Sequence, residues 1–328
     1  MAHAMRRASW CILALAALVC TSPNVAVADT HPPAPERPRI VVASPKPNIY
    51  PARQRILVRF SCADTSGVTT CAATIAGPGM RGRRVASGSQ IQPARTGSYT
   101  LRITARDRRG RAKTSTIPFL VERTVSWSGY TWFVRHPGWG GPGPNQWSDS
   151  GANVHLSGTN LVLSIRRRSG RWTSAEVDNQ RHLGYGTYRW VVASDLSAAD
   201  PYQVPGMFTF GGTEVDMEPS LWGNPLSTSG SAAVWPDVRN PNREFATFNY
   251  SNQPPYTHQF TWSPGSIDFL ITDATGAGLL DWTVTTGVPT PSSEVPIINY
   301  WRFHDDPPAG VTTVRMASFT WTPLHQSA

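Results

Sequence analysis

Apolar residues alternate with polar ones over short runs along most of this chain. In the first third, Ile56, Val58, Phe60 and Cys62 fall two apart, as do Tyr99, Leu101, Ile103 and Ala105. Glycine-containing turns separate such runs. From residue 125 onward, strand-like runs recur every ten or so residues, at 160–165, 174–178, 186–192, 206–210, 244–250, 257–262, 266–271 and 313–321. A period of two is the mark of a half-buried strand, and no helical period stands out. The pattern predicts an all-β chain with two parts. Residues 48–123 read as a small sandwich of about seven short strands. Residues 125–324 read as a two-sheet jelly roll or sandwich, one sheet of which can curve into a groove.

Composition agrees. The 328 residues suggest two domains, and 13 Trp, 29 Pro and 27 Gly suit strands and turns better than helices. One apolar run is different in kind. Residues 11–20 (CILALAALVC) follow Arg6 and Arg7 and precede Ala26-Val27-Ala28, a small-residue cleavage signal. Residues 1–28 therefore read as a secretory signal peptide, too short in its apolar part to span a bilayer; a retained anchor is the alternative. The expected location is secreted, extracellular or in the cell envelope. No other segment could form a transmembrane helix. Residues 29–47 are proline-rich and read as a semi-extended linker. Beyond the signal only Cys62 and Cys71 remain, and an even pair in an exported protein reads as one disulfide, with two buried thiols as the alternative. Two cysteines and no clustered histidines make a metal site unexpected.

Charge is divided unevenly. Residues 40–122 carry fourteen Lys or Arg against three acids, whereas the chain from Arg123 onward is net negative by four. Arg81, Arg83, Arg84, Arg106, Arg108, Arg109, Arg111 and Lys113 dominate the basic part. Outside a cell, such asymmetry fits docking to an anionic cell-surface polymer; a merely solvated basic surface is the alternative. Nucleic acid is not an expected partner, because no nucleic-acid motif accompanies the charge.

The densest chemistry lies at residues 213–219, Thr-Glu-Val-Asp-Met-Glu-Pro. On a strand, Glu214, Asp216 and Glu218 share one face while Val215 and Met217 take the other. Three like charges on one face repel one another, and acids are poor strand formers. The bland alternative is a solvated acidic strand. Paired carboxylates are the working parts of glycoside hydrolysis, and the flanking aromatic run at 202–212 and Trp222 suit a sugar site. No dinucleotide fingerprint, nucleophile elbow or zinc-helix motif is present.

Two resemblances follow from these segments. Residues 61–71 (SCADTSGVTTC) and 97–114 (GSYTLRITARDRRGRAKT) resemble bacterial immunoglobulin-like domains of secreted enzymes. That resemblance implies a sandwich with a Cys62–Cys71 bridge and no catalysis. The larger part resembles glycoside hydrolase family 16. The matching segments, in family order, are GTNLVLSI at 158–165, TSAEV at 173–177, YGTY at 185–188, EVDME at 214–218, FTWSPGSI at 260–267, IINYW at 297–301 and VRMAS at 314–318.

The family resemblance implies Glu214 as nucleophile, Glu218 as acid/base and Asp216 as the residue tuning both. Neighbouring like charges push carboxyl pKa values apart, which keeps one group protonated near neutrality. On a straight strand the Cα atoms of the outer pair stand about 13 Å apart, whereas a retaining pair wants carboxyls about 5–5.5 Å apart. Both side chains must lean inward over Asp216. Asn299 and Trp301 align with sugar-contacting positions. Trp222, and Trp139 in the glycine-rich loop 136–144, are substrate-binding candidates by proximity. Departures lie at 272–274, where the usual Asp-Gly turn is missing, and in a Pro- and Ser-rich loop at 225–242. The implied activity is that of a secreted, endo-acting retaining glycosidase on a β-linked glucan or galactan. A transglycosylase and a non-catalytic polysaccharide-binding protein are the alternatives. No organic cofactor is implied. Related enzymes hold a structural Ca²⁺, but no ligand loop for one is seen here. A monomer is expected.

Overall fold

A computed structural model describes residues 37–198, 200–238, 243–305 and 312–324. The segment read as a signal peptide, residues 1–28, lies outside the described residues, as does the start of the proline-rich segment. The chain is all-β, as expected. Its described helical content is one 3-10 turn, Phe303–Asp305, and no described helix is long and apolar enough to cross a membrane.

Two separate cores organise the strands. The smaller gathers Ile56, Val58, Ile75, Ile91, Tyr99, Leu101, Ile103, Phe119 and Val121. Tyr99, Leu101, Ile103 and Ala105 alternate on the strand Gly97–Asp107 and are all essentially unexposed. The 56–62 alternation is split in two. The Val58 N–H donates to the Ser89 carbonyl, and the Val58 carbonyl accepts from Gly88 N–H. Ile56–Leu57 therefore pairs with Gln90–Ile91, while Arg59–Ala63 pairs with Arg39–Ser44. Residues 39–44, read as linker from their prolines, are thus a strand. The reason is their own alternation, since Ile40 and Val42 pack against the small core. Cys62 and Cys71 are disulfide-bonded, with Cα atoms 5.9 Å apart.

The strand Ala112–Trp127 runs unbroken through the division read at 123–125. It pairs with Gly97–Asp107 along its first part and, after the tight turn at Ser128 and Gly129, with Tyr130–Val134. One sheet therefore continues from the basic part into the larger one.

The larger core lies between two sheets. The first runs Glu244–Phe248, Gly230–Trp235, Glu214–Pro219, Gln203–Phe210, Val295–Arg302, Ala175–Asp178 and Tyr130–Val134. The facing sheet runs Val154–Ser157, Asn160–Arg168, Thr312–Pro323, Gly186–Val192, Tyr256–Ser263, Ser266–Thr272 and Gly278–Val284. This is the expected two-sheet, jelly-roll sandwich. Trp132, Trp190, Phe260 and Phe319 fill its centre at zero exposure. Phe319 lies edge-on to Trp132 at 5.2 Å, and Trp190 sits 5.1 Å from Phe319. Rings of this size each bury roughly 150–250 Å² and dominate core energetics. Part of the 225–242 stretch, read as a loop, is the strand Gly230–Trp235. Its Ala232 and Val234 are buried in the core, so small residues there serve as core rather than as turn.

Candidate functional site

The acidic strand is central in its sheet. Glu214–Pro219 pairs with Gln203–Phe210 on one side and Gly230–Trp235 on the other. Val215 and Met217 have zero exposure within the large core. Alternation therefore turns Glu214, Asp216 and Glu218 to the outer face of the sheet. The repulsion this creates is tolerated because the core face is well filled and because the acids have neighbours of suitable chemistry.

Those neighbours follow from register. Glu214 lies opposite Trp235 and Phe210, Asp216 opposite Ala233 and Phe208, and Glu218 opposite Ser231. The indole N–H of Trp235 donates to Asp216 Oδ2 at 2.8 Å. Arg243 stacks its guanidinium 4.4 Å from the Trp235 ring and 4.7 Å from Phe245. Asp216 is 3% exposed, and that burial pushes its pKa up to about 7 against the pull of Trp235, Arg243 and the Ala233 backbone. Glu218 is raised well above the usual carboxylate range, first by burial and then by the charges of Asp216 and Glu214. The like-charge repulsion that the sequence pattern implied contributes to the Glu218 shift, after burial, whereas Asp216 is raised by burial alone.

Two strands away, Ile298 and Tyr300 point into the core, so Asn299 and Trp301 share the outer face with the acids. Asn299 is 1% exposed and its Oδ1 has no hydrogen-bond partner. It lies in register with Gly206 on one side and Glu176 on the other. Gly206 is required there, because an added Cβ would stand 2.5 Å from Asn299 Oδ1. The indole N–H of Trp301 is buried without a partner of normal hydrogen-bond geometry. It still faces Glu218 closely enough to favour the ionised carboxylate.

Trp301, Trp147 and Val204 form a third apolar cluster on this outer face, with Trp222 and Phe303 packed against it. The Trp222 ring is 6.1 Å from Trp301 and 5.3 Å from Phe303. The structure thus brings Trp222 to Trp301. Trp139 is different. It stands 59% exposed on the hairpin of Gly138–Gly140 and Asn145–Trp147 and joins no ring pair among the described residues. The inward ring of that hairpin is Trp147, whose indole N–H donates to the Gly140 carbonyl. Asn145 ties the hairpin to the Trp301 strand, donating to the Pro142 and Arg302 carbonyls and accepting from Arg302 N–H and Ser174 Oγ.

Several residues of the site were not singled out from sequence. Trp235 lies within the stretch read as loop and Arg243 directly after it, and the pairing of the flanking strands brings them to the acids. Glu176 is 5% exposed and paired with Arg135 Nη1 at 3.0 Å, and Arg135 in turn lies 4.2 Å over Trp147. The alternation of Glu176 with buried Ala175 and Val177 was the available signal.

No group of three His, Cys, Asp or Glu positioned to hold a metal occurs among the described residues. A cleft of about 510 Å³ lies elsewhere, lined by Ala52, Arg53, Arg95, Thr96, Arg123 and Asp149 among others, and includes none of the three carboxylates. Chemically, the acidic face offers carboxyls that hold a proton near neutrality beside a third, half-buried carboxylate, with an aromatic cluster adjoining.

No family model matches the chain, and no curated protein does. Among solved structures it is similar to a β-1,3-glucanase from Mycobacterium marinum, at 18% identity over 56% of this chain and 88% of that chain, with a TM-score of 0.45. It is similar also to a protein of Mycobacterium tuberculosis described as an immunostimulatory antigen and pseudo β-1,3-glucanase, at 19% identity over 59% and 91%, with a TM-score of 0.46. A family 16 glycosyl hydrolase from Mycobacterium smegmatis aligns at 17% identity over 56% and 91%, with a TM-score of 0.43. Fewer than one residue in five is shared in each case, so residue roles rest on the geometry above.

Proposed function

We propose that this chain is a secreted retaining glycoside hydrolase acting on a β-linked polysaccharide, a glucan or galactan. The observation that carries the reading is the set of three carboxylates on one outer strand face, with Glu218 kept protonated by burial and by its acidic neighbours. In the first step the Glu214 carboxylate attacks the anomeric carbon while the Glu218 carboxyl protonates the departing glycosidic oxygen. In the second, the Glu218 carboxylate takes a proton from water. That water attacks the same carbon and Glu214 leaves. Asp216 sits between the two and, with its pKa raised to about 7, is only partly ionised near neutrality, so it adds charge beside Glu218 without setting a full negative charge beside Glu214. Asn299 Oδ1 and the Trp301 ring are both buried in the floor of this face, and the half-buried Trp222 packed beside Trp301 is the ring a sugar would meet first.

The test is reducing-sugar release by the purified mature protein from mixed-linkage β-glucan, laminarin, agarose, carrageenan and xyloglucan. Glu214→Ala and Glu218→Gln serve as controls. Release from one polymer, abolished in both variants while Glu218→Gln still binds that polymer, is the expected result. Release that persists in both variants overturns the assignment of roles. Binding without release in the unaltered protein overturns the hydrolase reading in favour of a binding protein.

A further inference from the structure

The small basic part presents a sheet face with its own composition. Met80–Val85, Val68–Gly77, Gly97–Asp107 and Ala112–Trp127 pair in that order. Ile75, Leu101 and Ile103 point inward to the small core. The opposite face carries Arg84, Thr74, Arg102 and Thr116 in one cross-strand row. Arg106 stands on the same face, opposite Thr70 and Ala112. All three arginines are exposed.

Nothing in this part of the chain neutralises them. Residues 40–122 contain only three acids, Asp64, Asp107 and Glu122. Asp107 is 1% exposed and held by Arg111 Nε at 2.6 Å. Asp64 shares the same arginine at 3.7 Å. Glu122 is 3% exposed and paired with His136 at 2.8 Å. Among the described residues, Arg84, Arg102 and Arg106 have no carboxylate partner, and Arg106 bonds only the Gly110 carbonyl. Their charge is therefore open to an external anion.

The face also restricts which polyanion fits. It has no exposed aromatic ring on which nucleobases could stack, and its large apolar side chains, Leu120 and Ile49 at one edge, are half-buried rather than free to anchor in a bilayer. Threonine hydroxyls alternate with guanidinium groups instead, which matches a surface bearing both carboxylates and hydroxyls. Arg84 and Arg102 are two strands apart, about 10 Å, and Arg102 and Arg106 are four residues apart, about 13 Å. Those spans exceed a single sugar unit. We infer that this face binds an acidic polysaccharide, pairing its carboxylates with Arg84, Arg102 and Arg106. The inference is independent of the hydrolase reading, since none of these residues touches the acidic strand.

Polygalacturonate is the probe, titrated calorimetrically into the full mature protein at about 50 and 200 mM salt. The unaltered protein is expected to bind, more weakly at the higher salt. Arg84→Ala/Arg102→Ala/Arg106→Ala is expected to weaken binding about tenfold or more, and the corresponding triple lysine variant to fall between the two. Arg189→Ala, an exposed arginine on the far sheet, removes one charge elsewhere and should leave binding unchanged. Thermal melts establish that each variant folds; if the triple alanine variant does not, Arg102→Ala alone should cost about threefold. Undiminished binding by the alanine variants overturns the inference. So does an equal loss in Arg189→Ala, which would mean net charge alone, or tighter binding at the same salt to duplex DNA or to phosphatidylglycerol vesicles.

Discussion

Trp235 donates its indole N–H to Asp216 Oδ2 at 2.8 Å, from the strand directly beside it. Asp216 is nevertheless raised to about 7, because burial outweighs that bond. An acid whose folded pKa exceeds its unfolded value of about 3.9 stabilises the fold fully below that lower value. The contribution is lost as pH rises through about 7. Asp216→Asn keeps an acceptor for Trp235 and removes the ionisation. It is expected to be more stable than the unaltered protein at pH 8 by on the order of 2–4 kcal/mol, with little difference near pH 4. Chemical denaturation at the two pH values checks this.

Trp235→Phe tests the bond itself. The ring is kept and the donor lost, so ionised Asp216 loses its one neutral side-chain donor. The Asp216 pKa should move further above about 7, read from the carboxyl carbon in an NMR titration. The loss in stability at high pH should be about 1–3 kcal/mol, that of a buried carboxylate deprived of a donor.

Gly206 and Asn299 supply a third prediction. A methyl group at 206 would meet Asn299 Oδ1 at 2.5 Å, so Gly206→Ala must displace the amide or the strand. A destabilisation of about 1–3 kcal/mol is expected, as for other overpacked sites. In Gly206→Ala/Asn299→Ala the obstruction is gone, and most of that loss should return. A double-mutant cycle in melting temperature measures the coupling; strictly additive losses would mean the two side chains do not collide.

How much of this was legible beforehand differs from element to element. The period-two pattern at 186–192, 257–262 and 266–271 identified strands because each has one buried and one outer face. The face shared by Glu214, Asp216 and Glu218 was legible for the same reason. Trp235 and Arg243 were not. Their approach to the acids depends on the register between Gly230–Trp235 and its neighbours, and a one-residue slip would have placed them on the core side. Arg39–Ser44 was hidden by flanking prolines, and the continuity of Ala112–Trp127 by a change of composition midway. Both are properties of pairing rather than of local sequence.

The Cys62–Cys71 bridge closes a short loop, with a sequence separation of 9. Loop-closure entropy for such a length corresponds to about 2–3 kcal/mol. Since Cys62 packs against the small core and not the large one, Cys62→Ala/Cys71→Ala should lower the stability of the basic part by about that amount. Hydrogen exchange should show protection lost in Gly97–Asp107 and kept in Gly186–Val192. Equal loss in both would mean that the two cores unfold as one unit.

His258 gives the opposite pH dependence from Asp216. It is wholly buried in the larger core, with Nε2 2.6 Å from the Tyr250 hydroxyl and Nδ1 without a partner. Burial pushes its pKa down to about 3 from an ordinary 6.5. The unfolded chain therefore binds a proton that the folded chain refuses across that window. Stability is fully present above about 6.5 and falls as pH drops towards about 3. His258→Gln keeps a polar partner for Tyr250 but cannot take up the proton. It should cost about 1–2 kcal/mol at pH 7.5, from imperfect packing. It should also lose less stability than the unaltered protein between pH 7 and pH 4, by about 2–3 kcal/mol. Urea unfolding at the two pH values separates the effects. A variant with the same acid sensitivity as the unaltered protein would show that the buried imidazole does not set it, and would place the origin among Asp107, Asp195, Asp273 and Glu294, carboxylates whose pKa values are lowered in the fold.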